Sequence, residues 1–185
     1  MIVENVKGPF LVCVPLSTIE HWRREAETWT DLRCCVYHDI GGRELRDYIR
    51  EYEWYYPSTT AAAAAAGAGS SHRVLQFHVL ITTYDALIRD YEELAEIPWR
   101  VVVVDEAHRL KNTSSKLLEC MRDVIAKGSA VHGYQHRILM SGTPLQNNIA
   151  ELWSLLNFIE PAKFPDYEKF HEKFGKITTQ EQVRE

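Results

Sequence analysis

Four consecutive valines, Val101–Val104, constrain the fold of this chain more than any other stretch, because two carboxylates follow them directly. A run of β-branched residues without alternating polar positions is typical of a strand buried on both faces, as in the parallel sheet of an α/β domain. Such sheets bind ligands beyond the carboxyl ends of their strands. Asp105 and Glu106 stand at that end, where burying their charge is costly unless a cation or a hydrogen-bond donor compensates.

The compensation that fits two carboxylates at a strand end is a complex of Mg²⁺ with a nucleotide. Asp105 would hold the metal through its water shell, and Glu106 would polarise an attacking water. The alternative is a strand that ends in a solvated acidic turn, and the two carboxylates alone do not decide between the interpretations. The continuation to His108 and a partner motif further along the chain favour the nucleotide site.

That partner motif follows a second short apolar strand, Arg137–Met140. The hydroxyls of Ser141 and Thr143 can hydrogen-bond the acidic motif or its water, and Gly142 permits a sharp turn. Pro144 then ends the strand, because proline cannot donate to a strand ladder. A loop of this kind is suited to sensing whether a phosphate is present.

Composition limits the classes of protein that the chain can represent. Its 185 residues are enough for one domain with a substantial core and too few for two large lobes. The formal net charge of −5 gives no global attraction for nucleic acid, so any such site has to be a local patch. No apolar run reaches the length of a membrane span, so we expect no membrane association.

Strand and helix patterns alternate along the chain, which implies parallel strands joined by right-handed crossovers. The predicted strands are Phe10–Val14, Cys34–Tyr37, Phe77–Thr83, Val101–Val104 and Arg137–Met140. The predicted helices are Ile19–Trp29, Arg43–Tyr56, Tyr84–Asp90, Ser115–Ile125 and Ile149–Phe158.

Helical spacing also predicts which side chains face the core. Trp22 and Trp29, seven positions apart, are expected to be core residues of the first helix. In the second helix the same spacing predicts an apolar face made of Leu45, Tyr48, Ile49 and Tyr52.

Two segments interrupt the alternation of strands and helices. Residues 57–73, rich in alanine, serine and glycine, are interpreted as a flexible surface insertion of low complexity. The segment Lys127–His136 contains glycines and histidines and is predicted to be an extended loop.

Several of these strings together resemble the SNF2 family of DNA-dependent ATPases. The strings are Gly8–Val12 with Pro15–Ile19 and Trp22 for motif Ia, Ile81–Tyr84 for motif Ib, Asp105–Asn112 for motif II, and Leu139–Asn148 with Glu151–Phe158 for motif III. Within the family the chain is most similar to the chromodomain-helicase-DNA-binding (CHD) remodellers of the kismet-like subgroup. That likeness rests on Glu27–Asp31, Val36–His38, Glu51–Tyr56, Phe77–Val79, Phe158–Pro161, Phe164–Pro165, Phe174–Gly175 and Glu181–Val183.

The resemblance implies a RecA-like fold of the P-loop NTPase type, with a mostly parallel sheet, helices on both faces and an incomplete N-terminus. Residues 1–160 would form part of the N-terminal helicase ATP-binding lobe, and residues 161–185 would begin the segment that leads towards a second RecA-like lobe. ATP and Mg²⁺ are the implied cofactors. The expected partners are duplex or nucleosomal DNA, the second lobe, and histones through regions outside this chain. The expected compartment is the nucleus.

The resemblance also assigns roles to individual positions. Catalysis is assigned to Asp105, Glu106 and His108, with Asp105 also holding the metal through water. Coupling and phosphate sensing are assigned to Ser141, Gly142, Thr143 and Gln146. DNA binding is assigned to Pro15, Ser17, Thr18, Thr82, Thr83, Tyr84, Arg109 and Lys111.

Residue chemistry supports the DNA assignment independently. Hydroxyl and backbone N–H groups in the loops after the first and third strands suit phosphate oxygens. Arg109 and Lys111 can add phosphate contacts, although both would equally serve to solvate the start of a helix. No arrangement resembles the reading of base edges, so we expect little sequence specificity.

The chain departs from the family pattern in two respects that bear on activity, since we expect neither the P-loop nor the second RecA-like lobe with its arginine fingers within these 185 residues. It contains no GxxxxGKS or GxxxxGKT string, so the phosphate-binding nest and its lysine are absent from these 185 residues. In the family the P-loop strand lies beside the motif III strand, so Arg137–Met140 is expected to be an exposed apolar edge. We therefore expect the isolated chain to be marginally stable and to hydrolyse no ATP.

Two other functions compete with an ATPase segment. A non-catalytic DNA-binding or scaffold module would keep the fold without the phosphate site. A DEAH-type RNA helicase shares motif II, but its motif III resembles Ser-Ala-Thr, whereas this chain has Ser-Gly-Thr-Pro followed by Leu145–Asn148.

Overall fold

A computed structural model describes residues 8–38, 41–57, 73–110, 116–132, 135–142 and 149–175. Its strands are β1 (Phe10–Val14), β2 (Cys34–Tyr37), β3 (Val79–Thr83), β4 (Val101–Val104) and β5 (His136–Leu139). Its helices are α1 (Ile19–Trp29), α2 (Gly42–Tyr52), α3 (Tyr84–Arg89), α4 (Tyr91–Ala95), α5 (Lys116–His132), α6 (Ile149–Ile159) and α7 (Tyr167–Phe174). Short 3-10 turns occupy Leu16–Thr18 and Ala107–Leu110.

The five strands form one sheet in the order β2-β3-β1-β4-β5, and each of the four pairings is parallel. The α/β class and the parallel sheet predicted from the sequence are therefore confirmed. Because all strands run the same way, the segments after β1, β3, β4 and β5 emerge at the same edge of the sheet, the one formed by the carboxyl ends of the strands. Those residues with an assigned function that the structure describes lie at this edge.

Apolar side chains form one cluster on each face of the sheet. Val102 and Val104 of β4 belong to the larger cluster, which α3, α4 and α5 cover. Val101 belongs to the smaller cluster, against which Val103 also packs, and Ile19 and Trp22 of α1 cover it. This division follows from the alternation of side chains along a strand. It also explains why the valine run lacks polar positions.

Strand β5 differs from the central strands because it lies at the edge of the described sheet. Every residue of β1 and β3 is buried, whereas exposed and partly buried residues alternate along β5. Ile138 and Met140 are each 43% exposed. The edge position and the exposed apolar side chains agree with the expectation for this strand.

The second helix corrects two predictions. It ends at Tyr52 rather than Tyr56, and the N–H groups of Glu53 and Trp54 both donate to the Ile49 carbonyl. Of the predicted apolar face only Ile49 is buried, while Leu45, Tyr48 and Tyr52 are 38%, 54% and 56% exposed. The inward position is taken instead by Arg46, whose Nε donates to Oδ2 of Asp90 at 2.6 Å. A buried arginine leaves no apolar signal in the sequence, so the face was assigned wrongly.

The loop predicted over Lys127–His136 is also wrong. Helix α5 continues through Lys127 to His132, and His136 begins β5. Gly128 lies inside the helix, where an added Cβ would stand 2.1 Å from the Trp99 carbonyl oxygen. This glycine therefore permits close packing rather than a turn.

The core prediction for the first helix fails at Trp29. This side chain is 77% exposed, and its indole N–H donates to Oε2 of Glu25 at 2.9 Å. The insertion at 57–73 lies almost wholly outside the described residues, so its predicted character stays a prediction. None of the described helices has the length and apolar character needed to cross a membrane.

Candidate active site and DNA-facing turns

The turn after β4 is fixed by backbone hydrogen bonds to the strands on either side of it. The N–H of Asp105 donates to the Cys13 carbonyl of β1 at 2.9 Å. The N–H of Ala107 donates to the Met140 carbonyl at 2.8 Å, and the N–H of Met140 donates to Val104 at 2.8 Å. The motif II turn is therefore held by the central strand on one side and by the motif III strand on the other.

The carboxylate of Asp105 accepts one hydrogen bond on each oxygen. Oδ1 accepts from the backbone N–H of Glu106 at 2.9 Å, and Oδ2 accepts from the indole N–H of Trp22 at 3.1 Å. A carboxylate has about four lone-pair positions, so each oxygen keeps capacity for a further partner. The side chain is thus oriented by the protein and still able to accept.

Glu106 has a backbone φ of +49°, the left-handed conformation that side chains other than glycine adopt rarely. This conformation costs about 1–2 kcal/mol for an L-residue. Such strain persists only where the surrounding structure enforces it, and it concentrates at functional sites. Here the backbone bonds of Asp105 and Ala107 enforce it, and the Glu106 carboxyl is directed towards the open edge of the sheet.

The Glu106 carboxyl has two neighbours at this edge. Its Oε2 lies 3.1 Å from Nδ1 of His108, and both side chains are more than a third exposed. A Cβ added to Gly142 would stand 3.8 Å from Oε1 of Glu106, so the loop after β5 passes directly beside the carboxyl. The structure therefore brings together Asp105, Glu106, His108 and Gly142.

The carboxylates of this turn suit Mg²⁺, the metal that the family resemblance implies. Carboxylate oxygens are the ligands that Mg²⁺ prefers, and the ion commonly binds one or two of them together with waters and substrate phosphates. Among the described residues no group of three or more His, Cys, Asp or Glu side chains forms a metal cage.

The loop after β5, to which phosphate sensing is assigned, is described only at its start. Ser141 and Gly142 are exposed residues directly after β5 and the Met140 that binds the motif II turn. Thr143 and Gln146 lie outside the described residues, so their assigned roles stay predictions.

The turn after β1 is exposed, as a DNA-facing turn requires. Leu16 is 65% exposed, Ser17 is exposed, and Pro15 is partly buried. The hydroxyl of Thr18 donates to the Pro15 carbonyl at 3.0 Å and so closes the turn on itself. Of the two hydroxyls assigned to DNA here, Ser17 faces solvent and Thr18 has a local structural bond.

The turn after β3 is buried, which corrects the prediction that its hydroxyls are offered to phosphate. Thr82 is fully buried, and its hydroxyl donates to the Tyr37 carbonyl at 2.7 Å. The hydroxyl of Thr83 accepts from the N–H of Ala86 at 3.2 Å and caps α3. All three residues from Thr82 to Tyr84 thus direct their side chains into the protein.

Tyr84 connects this buried turn to motif II. Its hydroxyl donates to the backbone carbonyl of Asp105. Burial raises the pKa of Tyr84 well above its usual value. The guanidinium of Arg109 lies over the Tyr84 ring, 4.9 Å from its centroid, and Arg109 itself is exposed. Lys111, the other predicted phosphate contact, lies outside the described residues.

The contact between Trp22 and Asp105 is the site feature that the sequence did not indicate. The two residues are 83 positions apart. The motif Ia string contains Trp22, but its helical spacing predicts only a core residue. The side chain does pack partly against the smaller apolar cluster, while its one polar atom reaches the carboxylate of Asp105.

Comparisons with known proteins agree with this geometry. Residues 3–185 match the SNF2-related domain. Over 184 residues the chain is 43% identical to chromodomain-helicase-DNA-binding protein 6 of Rattus norvegicus, covering 100% of this chain and 6% of that protein. Human chromodomain-helicase-DNA-binding proteins 7 and 8 are 44% and 42% identical over 98% and 97% of this chain. The chain spans about 6% of the length of each of these relatives.

A solved structure shares the fold. The SWI2/SNF2 ATPase core of Sulfolobus solfataricus, in complex with double-stranded DNA, superposes with a TM-score of 0.68 and 25% sequence identity. The match covers 99% of this chain and 32% of that one. It confirms the RecA-like fold predicted from the motifs. Sequence and structure together place the chain in the SNF2-related family, with its resemblance to chromodomain-helicase-DNA-binding proteins confirmed along nearly its whole length.

Proposed function

We propose that this chain is the part from motif Ia to motif III of the first RecA-like lobe of an ATP-dependent chromatin-remodelling DNA translocase. In this proposal residues 1–160 belong to the ATP-binding lobe, and residues 161–185 lead towards the second lobe. The observation that carries the proposal is the strained turn at Glu106, beside which His108 and Gly142 stand at the open edge of the sheet.

Each residue of the turn has a distinct role in the proposed hydrolysis of ATP. Asp105 would hold Mg²⁺ through its water shell, with its carboxylate oriented by donors on both oxygens. Glu106 accepts a hydrogen bond from the attacking water and polarises it. His108 restrains the Glu106 carboxyl from 3.1 Å away. When bound, Mg²⁺ would neutralise charge on the phosphate oxygens.

The loop after β5 is proposed to couple the state of the nucleotide to the rest of the lobe. Ser141 and Gly142 follow Met140, whose carbonyl accepts from Ala107 of the motif II turn. A shift in motif II is therefore transmitted directly to this loop. Thr143 and Gln146 share this role by their place in the motif.

The proposed DNA contacts now rest mainly on the turn after β1. Ser17, the backbone around Pro15 and Thr18, and the exposed Arg109 present donors or charge to a phosphate. The buried side chains at the end of β3 and the start of α3 would hold this surface in place through their internal hydrogen bonds; they are Thr82, Thr83 and Tyr84. Lys111 would add positive charge. The proposed partners are duplex or nucleosomal DNA in the nucleus, a second RecA-like lobe, and histones through other regions of a longer protein.

A chimera tests this proposal. The chain would replace the matching segment of the rat chromodomain-helicase-DNA-binding protein 6, which is 43% identical to it. We expect phosphate release that duplex DNA stimulates, and Glu106→Gln should reduce it by about 10²-fold or more, as removal of a positioned base does. The isolated chain should release no phosphate. Release by the isolated chain that Glu106→Gln abolishes would overturn that expectation.

The same experiment addresses the non-catalytic alternative. A chimera that folds and binds DNA but releases no phosphate would favour a DNA-binding or scaffold module. A matched control is Trp29→Phe, because Trp29 is an exposed residue whose indole N–H donates to the surface residue Glu25. This variant should release phosphate at the rate of the unmodified chimera.

A further inference from the structure

Among the described residues, the indole of Trp22 is the donor to the Asp105 carboxylate that comes from outside the motif II turn. Its Nε1–H donates to Oδ2 at 3.1 Å across 83 positions of the sequence. Tryptophan has a single polar group, which can only donate. The indole N–H therefore needs an acceptor. Here that acceptor is the Asp105 carboxylate, to which metal binding is assigned.

Packing holds Trp22 in the position that this bond requires. Asp105 follows Val103 by two residues, so strand alternation directs both side chains to the face that α1 covers. The Trp22 ring packs partly against the apolar cluster on this face, as Val103 does. The large ring has few rotatable bonds, so its N–H reaches Oδ2 with little freedom to move.

We propose that Trp22 is a positioning residue for the Asp105 carboxylate. Trp22 and the Glu106 backbone N–H each take one oxygen, so together they fix the plane of the carboxylate and the directions of its remaining lone pairs. Those directions decide where a hydrated Mg²⁺ binds. Donors behind a metal ligand commonly change metal affinity or activity by 10–100-fold when they are removed. This inference rests on the proposed function of Asp105.

The same helix offers a matched reference. Trp29 donates its indole N–H to a carboxylate as well, that of Glu25 at 2.9 Å. This pair lies on the exposed side of α1, away from the strand ends. Surface carboxylates attract cations weakly, so the indole N–H signal of Trp29 reports nonspecific metal binding outside the candidate site.

The first test follows the indole N–H signals of the 15N-labelled chain by NMR during titration with Mn²⁺. This ion also favours carboxylate and water ligands, and it broadens nearby signals. We expect the Trp22 signal to broaden at lower Mn²⁺ concentrations than the Trp29 signal, and Asp105→Asn to abolish the difference. Equal broadening of the two signals in the unmodified chain would overturn the proposal. This arm needs no Trp22 variant to fold.

The positioning role itself is tested with Trp22→Phe, which keeps a ring and deletes the donor. The probe is the backbone N–H signal of Glu106, which bonds the other oxygen of Asp105. The Mn²⁺ concentration that broadens this signal should rise by about tenfold in Trp22→Phe. It should stay unchanged in Trp29→Phe. An unchanged concentration in a folded Trp22→Phe chain would overturn the proposal.

The chimera gives a second measurement, which separates positioning from a loss of stability. In Trp22→Phe the Mg²⁺ concentration for half-maximal phosphate release should rise by about tenfold, while the rate at saturating Mg²⁺ changes little. A merely structural role would lower the rate at every Mg²⁺ concentration, and that result would count against the proposal. If the unmodified chimera is inactive, the proposed function fails, and the NMR measurement still decides the role of Trp22.

Discussion

The turns at the ends of β1 and β3 share hydroxyl residues and have opposite structures. Both follow central, fully buried strands, and both carry hydroxyl residues at the same edge of the sheet. After β1 the chain turns outward, leaving Leu16 and Ser17 exposed. After β3 it enters α3 at once, and Thr82 and Thr83 are 0% and 7% exposed. A hydroxyl residue is therefore exposed in the turn after β1, whereas the hydroxyl residues at the end of β3 form hydrogen bonds inside the protein.

The two turns differ in burial because their hydroxyl groups have different hydrogen-bond partners. Thr82 joins β3 to the carbonyl of Tyr37 in β2, and the Tyr37 hydroxyl donates in turn to Asp90 at 2.7 Å. Asp90 also accepts from Arg46, so the buried turn belongs to a polar network beneath α2. In the turn after β1 the hydroxyl of Thr18 bonds locally, to the Pro15 carbonyl within the same turn. We therefore expect substitutions after β3 to change stability and substitutions after β1 to change DNA binding.

The largest effect is expected from Thr82→Val, which keeps the shape of the side chain and removes a buried hydrogen bond. Its loss should lower the free energy of unfolding by about 2 kcal/mol, within the range for a buried polar group deprived of its partner. Urea denaturation of the chain measures this change. Ser17→Ala is the matched control and should stay within about 0.5 kcal/mol, as exposed positions do. Equal effects at the two positions would remove the distinction between the turns.

Tyr84→Phe should lower the free energy of unfolding by about 1 kcal/mol, the usual contribution of one hydrogen bond. The variant deletes only the hydroxyl that donates to the Asp105 carbonyl and keeps the ring beneath Arg109. The same urea series measures it. Because the bond supports the backbone of motif II, the Glu106 amide signal should shift in Tyr84→Phe. A spectrum with that signal unmoved would show that the buried turn does not support motif II.

Thr83→Ala removes the side-chain cap of α3 and should cost about 1 kcal/mol or slightly less, because α3 is short and lies at the end of a buried strand. Thr83→Ser keeps the capping oxygen and should recover most of the loss. Thermal or urea unfolding of the two variants in parallel makes the comparison. If serine and alanine are equally destabilising, the cap contributes nothing and packing of the threonine methyl explains the effect.

Much of the fold was predictable because its signals are local. The continuous apolar runs of β1 and β4 place both strands with their observed bounds, and helix α1 also has the predicted bounds. The errors occur where tertiary contacts reverse a local signal. Arg46 is buried because Asp90 is there to accept from it, and Gly128 lies in a helix because Trp99 approaches closely.

The candidate site was predictable in its residue types and not in its contacts. Motif spacing placed Asp105 and Glu106 at a strand end, and parallel topology brought the loop of Gly142 beside them. Neither spacing nor hydropathy indicates which way a threonine hydroxyl turns at the end of a strand. The bond from Trp22 to Asp105 depends on the packing of α1 over the sheet, which no local pattern encodes.

The smallest change in stability and the clearest change in DNA binding are expected from Arg109→Ala. Arg109 is exposed, so the free energy of unfolding should change by less than about 0.5 kcal/mol. If its guanidinium contacts a phosphate, the slope of log affinity against log salt concentration should become shallower by about 0.9. Fluorescence anisotropy with duplex DNA at several salt concentrations measures the slope. Thr82→Val should keep the unmodified slope while folded, since the Thr82 hydroxyl is bonded to the Tyr37 carbonyl inside the protein. A shallower slope in Thr82→Val together with an unchanged slope in Arg109→Ala would contradict the buried role of Thr82 and the proposed phosphate contact of Arg109.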